Sequence, residues 1–364
     1  MAGDNSEQIR QNMQIPRTND PSHLLQLLIE LQQAHGHIPG DAIDQLAGSL
    51  RLSQASILGV IEFYSFLHRT PRGKYDILFS DNITDQMRGS RLLAERLAGK
   101  LGIGIGHTRD DRRVTLDYTS CTGMGDQGPA ALVNGQAITR LTTERIDQMA
   151  DLVEQAVRLE HWPAELFQVS EGIERRDILL NSNYKPGAAI RNCLEEGAAA
   201  VLNQLEQAGL RGCGGAGFSI AKKWQFCASS EAAEHYVVCN ADEGEPGTFK
   251  DRYLLQTHAD RLFEGMTLCA AVIGAHQGFL YLRGEYRYLL EALQRTLQQR
   301  REKNLLGQAI LGRDGFDFDI DIHLGAGAYI CGEESAMIES LEGKRGIPRN
   351  RPPFPVTQGY LGMP

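Results

Sequence analysis

The residues best suited to chemistry lie between Gly209 and Asp251, where a glycine-rich loop, a lysine pair, an apolar run and a carboxylate-rich turn follow one another. From Arg211 to Phe218 the loop is almost free of side chains, so its backbone amides can closely approach a phosphate group. The turn from Asn240 to Gly247 supplies carboxylates, which accept hydrogen bonds from hydroxyl groups. This order favours a nucleotide-binding cradle over an ordinary stretch of core.

The glycine loop alone does not decide its own function. Gly212, Gly214 and Gly217 satisfy the dinucleotide pattern G-x-G-x-x-G, but that pattern requires a strand directly before it. The preceding stretch, Ala198 to Leu210, carries apolar residues at helical spacing, which disfavours the usual Rossmann first turn. On pattern alone, a flexible loop between two helices would explain the glycines, so the interpretation depends on the elements that follow.

Three short apolar runs could position these loops. Tyr236 to Cys239, Phe279 to Leu282 and Asp319 to Leu324 are each typical of a buried strand, and a polar or glycine-rich loop follows each one. Helical patterns around Leu262–Ile273 and Tyr286–Leu297 lie between them, which predicts a parallel α/β sheet covered by helices. Since ligands of such sheets bind at the carboxyl ends of the strands, the three loops are expected at one edge.

The N-terminal part is predicted to contain two smaller units. Polar residues up to about position 20 are expected to be loose, and three helices follow, the first capped at Asp20-Pro21. From Lys74 the pattern becomes strand, helix, strand and hairpin, the element order of a thioredoxin-like module. The predicted elements include helices Gly40–Leu50, Ser53–Phe66 and Met87–Leu101, strands Tyr75–Phe79 and Val114–Tyr118, and the hairpin of Ala130–Val133 with Gln136–Thr139.

The composition argues against several classes of protein. The 364 residues carry a net charge of -9, which disfavours a general nucleic-acid-binding surface or a polybasic membrane-binding surface. Apolar stretches are too short to span a bilayer and no signal peptide opens the chain, so a cytoplasmic location is expected. The seven cysteines show no C-x-x-C spacing, which disfavours a disulfide framework or a zinc ribbon.

The C-terminal motifs resemble those of a known family. In order they are RGCGGAGF, KW, CNADEGEPGTFKDR, LRGEY, GAGAYICGEES and LEGKRGIPRNRPPFP, between about Leu210 and Leu361. Together they are similar to the NADH-oxidising, FMN-binding subunit shared by bacterial complex I and soluble NAD-reducing hydrogenases. The resemblance implies a Rossmann-like parallel α/β domain in which a hydride passes between NADH and FMN. The flavin supplies that chemistry, so no catalytic acid or nucleophile is expected.

The resemblance also implies a set of cofactor-binding residues. The glycine loop would approach the NADH phosphates and the flavin, Lys223 would lie near FMN, and Glu245 would bind a ribose hydroxyl of NADH. The carboxylate turn and the turn before the last helix would hold the flavin, and the adenine end would meet Arg351 and Phe354. The implied set is Gly212, Gly214, Gly215, Ala216, Gly217, Phe218, Lys223, Phe226, Asn240, Asp242, Glu243, Glu245, Tyr329, Gly332, Glu333, Glu334, Arg351 and Phe354.

Several of these residues have alternative explanations. The acidic residues of the turn, together with Asp251, could form a Mg²⁺ site because oxygen ligands cluster there. Glu333 and Glu334 precede a predicted helix, whose N-terminus would stabilise their charge whether or not a cofactor binds. The prolines beside Arg351 and Phe354 would make a rigid loop without any ligand.

The N-terminal motifs carry a second resemblance. HGHIP and FYSF, followed by the thioredoxin-like pattern, resemble the thioredoxin-like [2Fe-2S] subunit that accompanies the flavin subunit in complex I. Four cysteines hold the cluster in that family, and the corresponding positions here are Ser80, Asp85, Cys121 and Gly125. One thiolate cannot hold a two-iron cluster. The module is therefore expected to lack [2Fe-2S], to bind no other metal, and to be kept for docking or packing.

The chain departs from the flavin family at two places. Cys213 stands where the family usually has arginine, which would weaken a phosphate or adenine contact. The sequence stops at Pro364, whereas the family continues toward a [4Fe-4S] cluster. The chain is therefore expected to be C-terminally incomplete, with that cluster only in the missing part.

The predicted organisation is a helical segment at residues 1–72, a thioredoxin-like module at 73–155, a linker at 156–190 and an FMN/NADH domain at 191–364. The leading functional prediction is the diaphorase subunit of a soluble NAD-reducing hydrogenase, with a small iron-sulfur diaphorase subunit and a hydrogenase module as partners. A complex I-type NADH dehydrogenase subunit and an NAD-linked formate dehydrogenase subunit are the alternatives. A non-catalytic assembly protein that keeps the fold without flavin is a further hypothesis.

Overall fold

The computed structural model describes residues 19–181 and 183–364. The N-terminal segment that was predicted to be loose lies outside the described residues as far as residue 18. The first unit is a group of three helices: α1 (Leu24–His35), α2 (Gly40–Leu50) and α3 (Gln54–Phe63). The predicted caps are confirmed, because the side chain of Asp20 accepts a hydrogen bond from the Ser22 amide and that of Ser53 accepts one from the Ser56 amide.

The third helix is shorter than predicted. It ends at Phe63 because the backbone turns to an extended conformation at Tyr64, with φ -97° and ψ 122°. The amides of Ser65 and Phe66 then donate to the carbonyl oxygens of Gly327 and Ala326, at 3.2 and 3.0 Å. A long-range backbone pairing thus replaces the helix that the apolar spacing predicted.

The second unit is a thioredoxin-like module with a five-stranded sheet in the order β2-β3-β1-β4-β5. Its hairpin turns at Asn134 and Gly135, both with positive φ, as predicted. The helix predicted from Met87 is split, because Gly89 adopts φ 88° between two helices. The elements are β1 (Tyr75–Ser80), α4 (Ile83–Met87), α5 (Ser90–Leu101), β2 (His107–Thr108), β3 (Val114–Thr119), β4 (Ala131–Val133), β5 (Gln136–Ile138) and α6 (Thr143–Glu154).

The third unit contains a parallel three-stranded sheet, β6 (Tyr236–Ala241), β7 (Gln277–Leu282) and β8 (Asp319–Leu324), in that order. The register aligns Ala241 with Leu282 and Leu282 with Leu324, so the strands end at one edge, as predicted. The helices are α7 (Ile178–Asn181), α8 (Ala188–Glu196), α9 (Ala198–Gln207), α10 (Ile220–Ala228), α11 (Lys250–Thr257), α12 (Ala259–Ile273), α13 (Leu290–Glu302) and α14 (Glu334–Leu341).

The buried apolar side chains form a large cluster in each unit. One cluster lies around the parallel sheet and includes Phe263, and another fills the thioredoxin-like module around Phe79. The remaining large cluster joins the N-terminal helices to α14 through residues such as Leu28 and Met337. No helix in the described part of the chain is both long enough and apolar enough to cross a bilayer.

Gln26 on α1 completes the hydrogen bonding of the edge strand β8. Its side-chain amide donates to the Leu324 carbonyl at 2.8 Å and accepts from the Leu324 amide at 3.1 Å. A strand at the edge of a sheet otherwise leaves such backbone groups unpaired. The helical unit therefore fixes the end of the strand that leads into the GAGAY turn.

Replacing Gln26 with methionine should destabilise the protein. The Gln26→Met variant keeps the size of the side chain but leaves the amide and carbonyl of Leu324 without these partners, at a cost of about 1–3 kcal/mol. Urea unfolding followed by circular dichroism measures the change. Gln33→Met, at an exposed position on the same helix, is the matched control. Equal midpoints for the two variants would contradict the role of Gln26.

Candidate functional site

The candidate site lies at the carboxyl edge of the parallel sheet. Asp242 follows β6, Arg283 follows β7 and Gly325 follows β8. The hydrogen-bond ladder continues one residue beyond the strands, because the Arg283 amide donates to the Ala241 carbonyl and the Gly325 amide to the Leu282 carbonyl. The three loops that the sequence predicted at one edge therefore leave the sheet side by side.

The glycine loop is a closed backbone hairpin before α10. The Gly212 amide donates to the Phe218 carbonyl at 2.9 Å, and the Arg211 guanidinium donates to the Gly217 carbonyl at 2.9 Å. Helix α9 precedes the loop, which agrees with the sequence pattern that disfavoured the usual Rossmann first turn. Gly214, Gly215 and Ala216 are exposed to solvent, and Gly212 and Gly217 are partly buried.

Gly214 is not required by the fold itself. Its φ lies outside the left-handed region, and a Cβ atom added to it would have no heavy atom within 4 Å among the described residues. Gly215 and Gly217, in contrast, have φ of 108° and 61°, which favour glycine for conformational reasons. The open space at Gly214 is what a loop that receives a ligand would need.

Glu243 is a structural residue of the carboxylate turn. Its side chain accepts hydrogen bonds from the Asp251 amide at 2.7 Å, the Arg252 amide at 3.3 Å and the Tyr286 hydroxyl at 2.8 Å. The residue is 6% exposed. Its carboxylate therefore ties the turn to the first residues of α11.

Asp242 differs from its neighbour because its carboxylate is incompletely satisfied. Within the described part of the chain, its Oδ2 atom is buried and has no hydrogen-bond partner. Burial, reinforced by the nearby charge of Glu285 and opposed by that of Arg283, raises the pKa of Asp242 to about 7. A buried acceptor of this kind is suited to a donor from a bound ligand.

The GAGAY-containing turn packs against the carboxylate turn. The Tyr329 hydroxyl donates to a carboxylate oxygen of Glu245 at 2.5 Å, and the Asn240 side-chain amide donates to the Gly332 carbonyl at 2.8 Å. Asn240 also accepts a hydrogen bond from the Asp242 amide. Four of the residues predicted at the site thus form two hydrogen-bonded pairs, and Asn240 also connects Gly332 to Asp242.

Charged contacts bring the remaining segments to the same edge. Lys223 on α10 lies 3.0 Å from the carboxylate of Glu334, which opens α14. Arg351 pairs with both Glu333 and Glu334. One oxygen of Glu333 also accepts hydrogen bonds from the amides of Ser335 and Ala336, so the helix-capping explanation for Glu333 holds. Ion pairs therefore connect the helix after the glycine loop, the start of α14 and the proline loop.

Four large aromatic side chains among the predicted residues are left exposed. Their rings offer faces for stacking against planar ligand groups. They are Phe218, Phe226, Tyr329 and Phe354, which are between 51% and 61% exposed.

Sequence reasoning gave no role to Arg283 and Glu285, although it noted the polar loop after a buried strand. Arg283 is 2% exposed and forms a two-bond ion pair with Glu285. It also donates to the backbone carbonyls of Glu243 and Cys121. A charged pair directly after an apolar strand is the signal that could have identified it.

Three carboxylates of the alternative Mg²⁺ site already have partners within the chain. Glu243 accepts from backbone amides, Glu245 from Tyr329, and Asp251 pairs with Lys250 at 2.8 Å. No group of three or more His, Cys, Asp or Glu side chains in the described residues could hold a metal ion.

The four positions that correspond to cluster ligands hold a different arrangement. The Ser80 hydroxyl donates to Asp85 Oδ2 at 2.7 Å, and the Asn82 amide contacts both of these side chains. Burial raises the pKa of the Asp85 carboxyl. Cys121 is buried and its sulfur accepts a hydrogen bond from the Gly123 amide. The first two positions, Ser80 and Asp85, are thus part of a hydrogen-bonded group, and the other two supply only the thiol of Cys121.

Comparison with family models matches two regions of the chain. Residues 205–361 match the Nuo51 FMN-binding domain, and residues 7–154 match the thioredoxin-like [2Fe-2S] ferredoxin family. The two regions correspond to the parts of the sequence whose motifs carried the two resemblances.

Similar proteins include NAD-reducing hydrogenase HoxS subunit alpha of Cupriavidus necator, 42% identical over 95% of this chain and 60% of the relative. An NADH-quinone oxidoreductase subunit of Escherichia coli is 48% identical over 45% of this chain and 37% of the relative. The chain therefore spans about 60% of the length of the hydrogenase subunit and a smaller share of the oxidoreductase subunit.

Among solved structures, NAD⁺-reducing [NiFe]-hydrogenase matches in two states. The air-oxidised structure has a TM-score of 0.86 and 41% identity, over 96% of this chain and 59% of that chain. The H₂-reduced structure has a TM-score of 0.88 and 40% identity, over 95% of this chain and 58% of that chain. The fold described above is thus the fold of those chains across nearly all of this one.

The two family matches, the sequence identity over 95% of the chain and the shared fold agree with the motifs found at the sheet edge. The chain therefore contains one region similar to the Nuo51 FMN-binding domain and another similar to the thioredoxin-like [2Fe-2S] ferredoxin family, and it resembles NAD-reducing hydrogenase HoxS subunit alpha along most of its own length.

Proposed function

We propose that this chain is the diaphorase subunit of a soluble NAD-reducing hydrogenase, in which it binds FMN and NADH. The observation that carries the proposal is the buried Oδ2 atom of Asp242, which has no hydrogen-bond partner among the described residues, at a sheet edge that the helix after the open glycine loop reaches through the Lys223–Glu334 pair. This arrangement fits a flavin nucleotide, which offers both donors and phosphate oxygens. The similarity over 95% of the chain to a hydrogenase subunit supports the assignment.

The proposed binding residues divide the cofactors by chemistry. The backbone amides of residues 212–217 suit phosphate groups, which the carboxylates would repel. Asp242 and Asn240 would hold the flavin, and Glu245 would accept from a ribose hydroxyl. FMN supplies the hydride chemistry when bound. The protein holds the two ring systems together, and the exposed aromatic faces of Phe218 and Phe226 would shield them from water.

A complex I-type NADH dehydrogenase subunit is the second candidate. The 48% identity to the Escherichia coli NADH-quinone oxidoreductase subunit favours it, but that match covers 45% of this chain. The hydrogenase subunit matches both the thioredoxin-like part and the flavin part. We therefore favour the hydrogenase assignment, with a small iron-sulfur subunit and a hydrogenase module as partners in the cytoplasm.

The thioredoxin-like domain belongs to a family named for a [2Fe-2S] cluster, yet its residues do not fit one. Ser80 and Asp85 are hydrogen-bonded to each other, and Gly125 has no side chain to offer. Cys121 alone cannot complete the four-ligand set that such clusters require. The proposal therefore gives this domain no role in electron transfer. It keeps the predicted domain boundaries after residues 72, 155 and 190.

Flavin binding and reduction test the proposal. The full chain, mixed with FMN and separated from excess, should retain about one flavin per chain, and NADH should bleach the flavin absorbance without oxygen. The same assay on a C-terminally longer form would show whether further sequence is needed. Protein that stays colourless in both forms would support the assembly-protein hypothesis.

Gly214 gives a direct test of the glycine loop. The Gly214→Leu variant should leave the free energy of unfolding within about 1 kcal/mol of the wild type, because the added side chain meets no atom of the fold. It should weaken FMN or NADH binding at least about tenfold by filling the space of the ligand. Fluorescence titration measures binding, and Gly48→Leu, also at an open position, is the control. Unchanged affinity in Gly214→Leu would remove the loop from the site.

Asp242 should make the stability of the flavin-free protein depend on pH. Since its native pKa of about 7 exceeds the ordinary value of 3.8, the native state holds more protons than the unfolded state between these values. Stability is therefore lost as pH rises from 4 to 7. Asp242→Asn removes this loss and should be more stable than wild type at pH 8 by up to about 4 kcal/mol, with little difference at pH 4.

Chemical unfolding at both pH values measures the effect of Asp242→Asn. Asp314→Asn removes a carboxylate from an exposed turn and serves as the control. A difference from wild type that is equal at pH 4 and pH 8 would contradict the assignment of the raised pKa to Asp242.

A further inference from the structure

The loop after β3 lies directly against the carboxylate turn of the candidate site. This loop, residues 121–126, contains two of the positions that correspond to cluster ligands, Cys121 and Gly125. We refer to it as the ligand-position loop. The loop contacts the third unit, which contains the parallel sheet, in three ways. These are a close backbone approach, a buried ion pair and hydrogen bonds accepted by two carbonyl groups of the loop.

The close approach occurs between Gly125 and Gly247. A Cβ atom added at Gly125 would lie 2.9 Å from the Cα atom of Gly247 and 3.3 Å from its nitrogen. Backbone atoms cannot move aside as a flexible side chain can. A cysteine at this position would therefore collide with the carboxylate turn, so the loss of this ligand position and the close docking of the two units go together.

The ion pair joins Asp126 to Arg252. Arg252 is fully buried, and its guanidinium donates to both carboxylate oxygens of Asp126 at 2.8 Å. It also donates to the Gly123 carbonyl at 2.8 Å. The backbone amide of the same Arg252 donates to Glu243. Arg252 thus connects Asp126 to Glu243, whose carboxylate orders the turn.

A second connection runs through Arg283. Its guanidinium donates to the Cys121 carbonyl at 2.9 Å and to the Glu243 carbonyl. Tyr286, whose hydroxyl donates to Glu243, packs against Gly123, which has φ 74°. Both ends of the ligand-position loop are therefore connected to Glu243, Cys121 through Arg283 and Asp126 through Arg252.

We propose that the ligand-position loop, through Gly125 and the Asp126–Arg252 pair, positions the Glu243–Asp251 turn for cofactor binding. Asp126 and Gly125 are positioning residues, which act through Arg252 and Gly247 and do not touch the cofactor. This inference rests on the proposed FMN site for its functional consequence. The structural consequence, an ordered turn, holds without any cofactor.

Asp126→Asn in the full chain tests the proposal by two measurements. In flavin-free protein, hydrogen–deuterium exchange of a peptide spanning residues 244–252 should become at least about tenfold faster, because the Arg252 guanidinium loses the carboxylate that holds the start of α11 in place against Glu243. FMN should bind at least about fivefold more weakly and its midpoint potential should shift. Asp147→Asn, which breaks the exposed pair with Arg96 in the same module, should change neither quantity.

A milder variant keeps the test decisive if Asp126→Asn does not fold. Gly125→Ala adds one methyl group against Gly247 and should likewise accelerate exchange in residues 244–252. Gly99→Ala, at an open position, is its control. A lowered melting temperature with unchanged exchange in the turn and unchanged FMN affinity would overturn the proposal.

The two proposals fail in different ways. Wild-type protein that binds no FMN would reject the proposed function, while exchange in the turn would still report on the loop. Wild-type protein that binds FMN, together with variants that bind it equally well and exchange at the wild-type rate, would reject the positioning role alone.

Discussion

The buried guanidinium of Arg283 is the constraint on which the arrangement of the site depends. It is 2% exposed at the end of the central strand, where an unpaired cation would cost several kcal/mol. Glu285 neutralises it, and the carbonyl oxygens of Glu243 and Cys121 accept two further hydrogen bonds from it. Since none of these partners can withdraw without exposing the charge to an apolar surrounding, one side chain fixes β7, the carboxylate turn and the thioredoxin-like module relative to one another.

The acidic residues at this sheet edge have different roles. Glu243 has its hydrogen bonds supplied by two amides and a tyrosine, and Glu333 caps a helix. Asp242 remains with a buried oxygen that no described residue satisfies. Such a group destabilises the flavin-free protein, and proteins retain costs of this kind mainly where function requires them. The adjacent acidic residues therefore serve opposite purposes: one orders the turn, and the other is left available.

The sequence predicted the sheet and its edge because apolar runs and the loops after them are local patterns. It could not predict that α3 would end at Phe63, since the pairing of Ser65 and Phe66 with Ala326 and Gly327 joins segments about 260 residues apart. Its assignment of Glu243 to the flavin stays a prediction, and it could not show that this carboxylate also accepts hydrogen bonds from Tyr286 and the start of α11. Residue type and spacing indicate that a carboxylate is present; they do not indicate which distant donor reaches it first.

The glycines show the same limit more sharply. The sequence attributed both the RGCGGAGF loop and the GAGAY turn to cofactor binding. In the turn, however, a Cβ atom on Gly325 would lie 3.2 Å from the Tyr281 ring, and one on Gly327 would lie 2.9 Å from the Phe66 ring. Those glycines are explained by packing within the chain. Gly214, like Gly48, has neither a close neighbour among the described residues nor a positive φ, so neither packing nor backbone conformation within those residues accounts for glycine there.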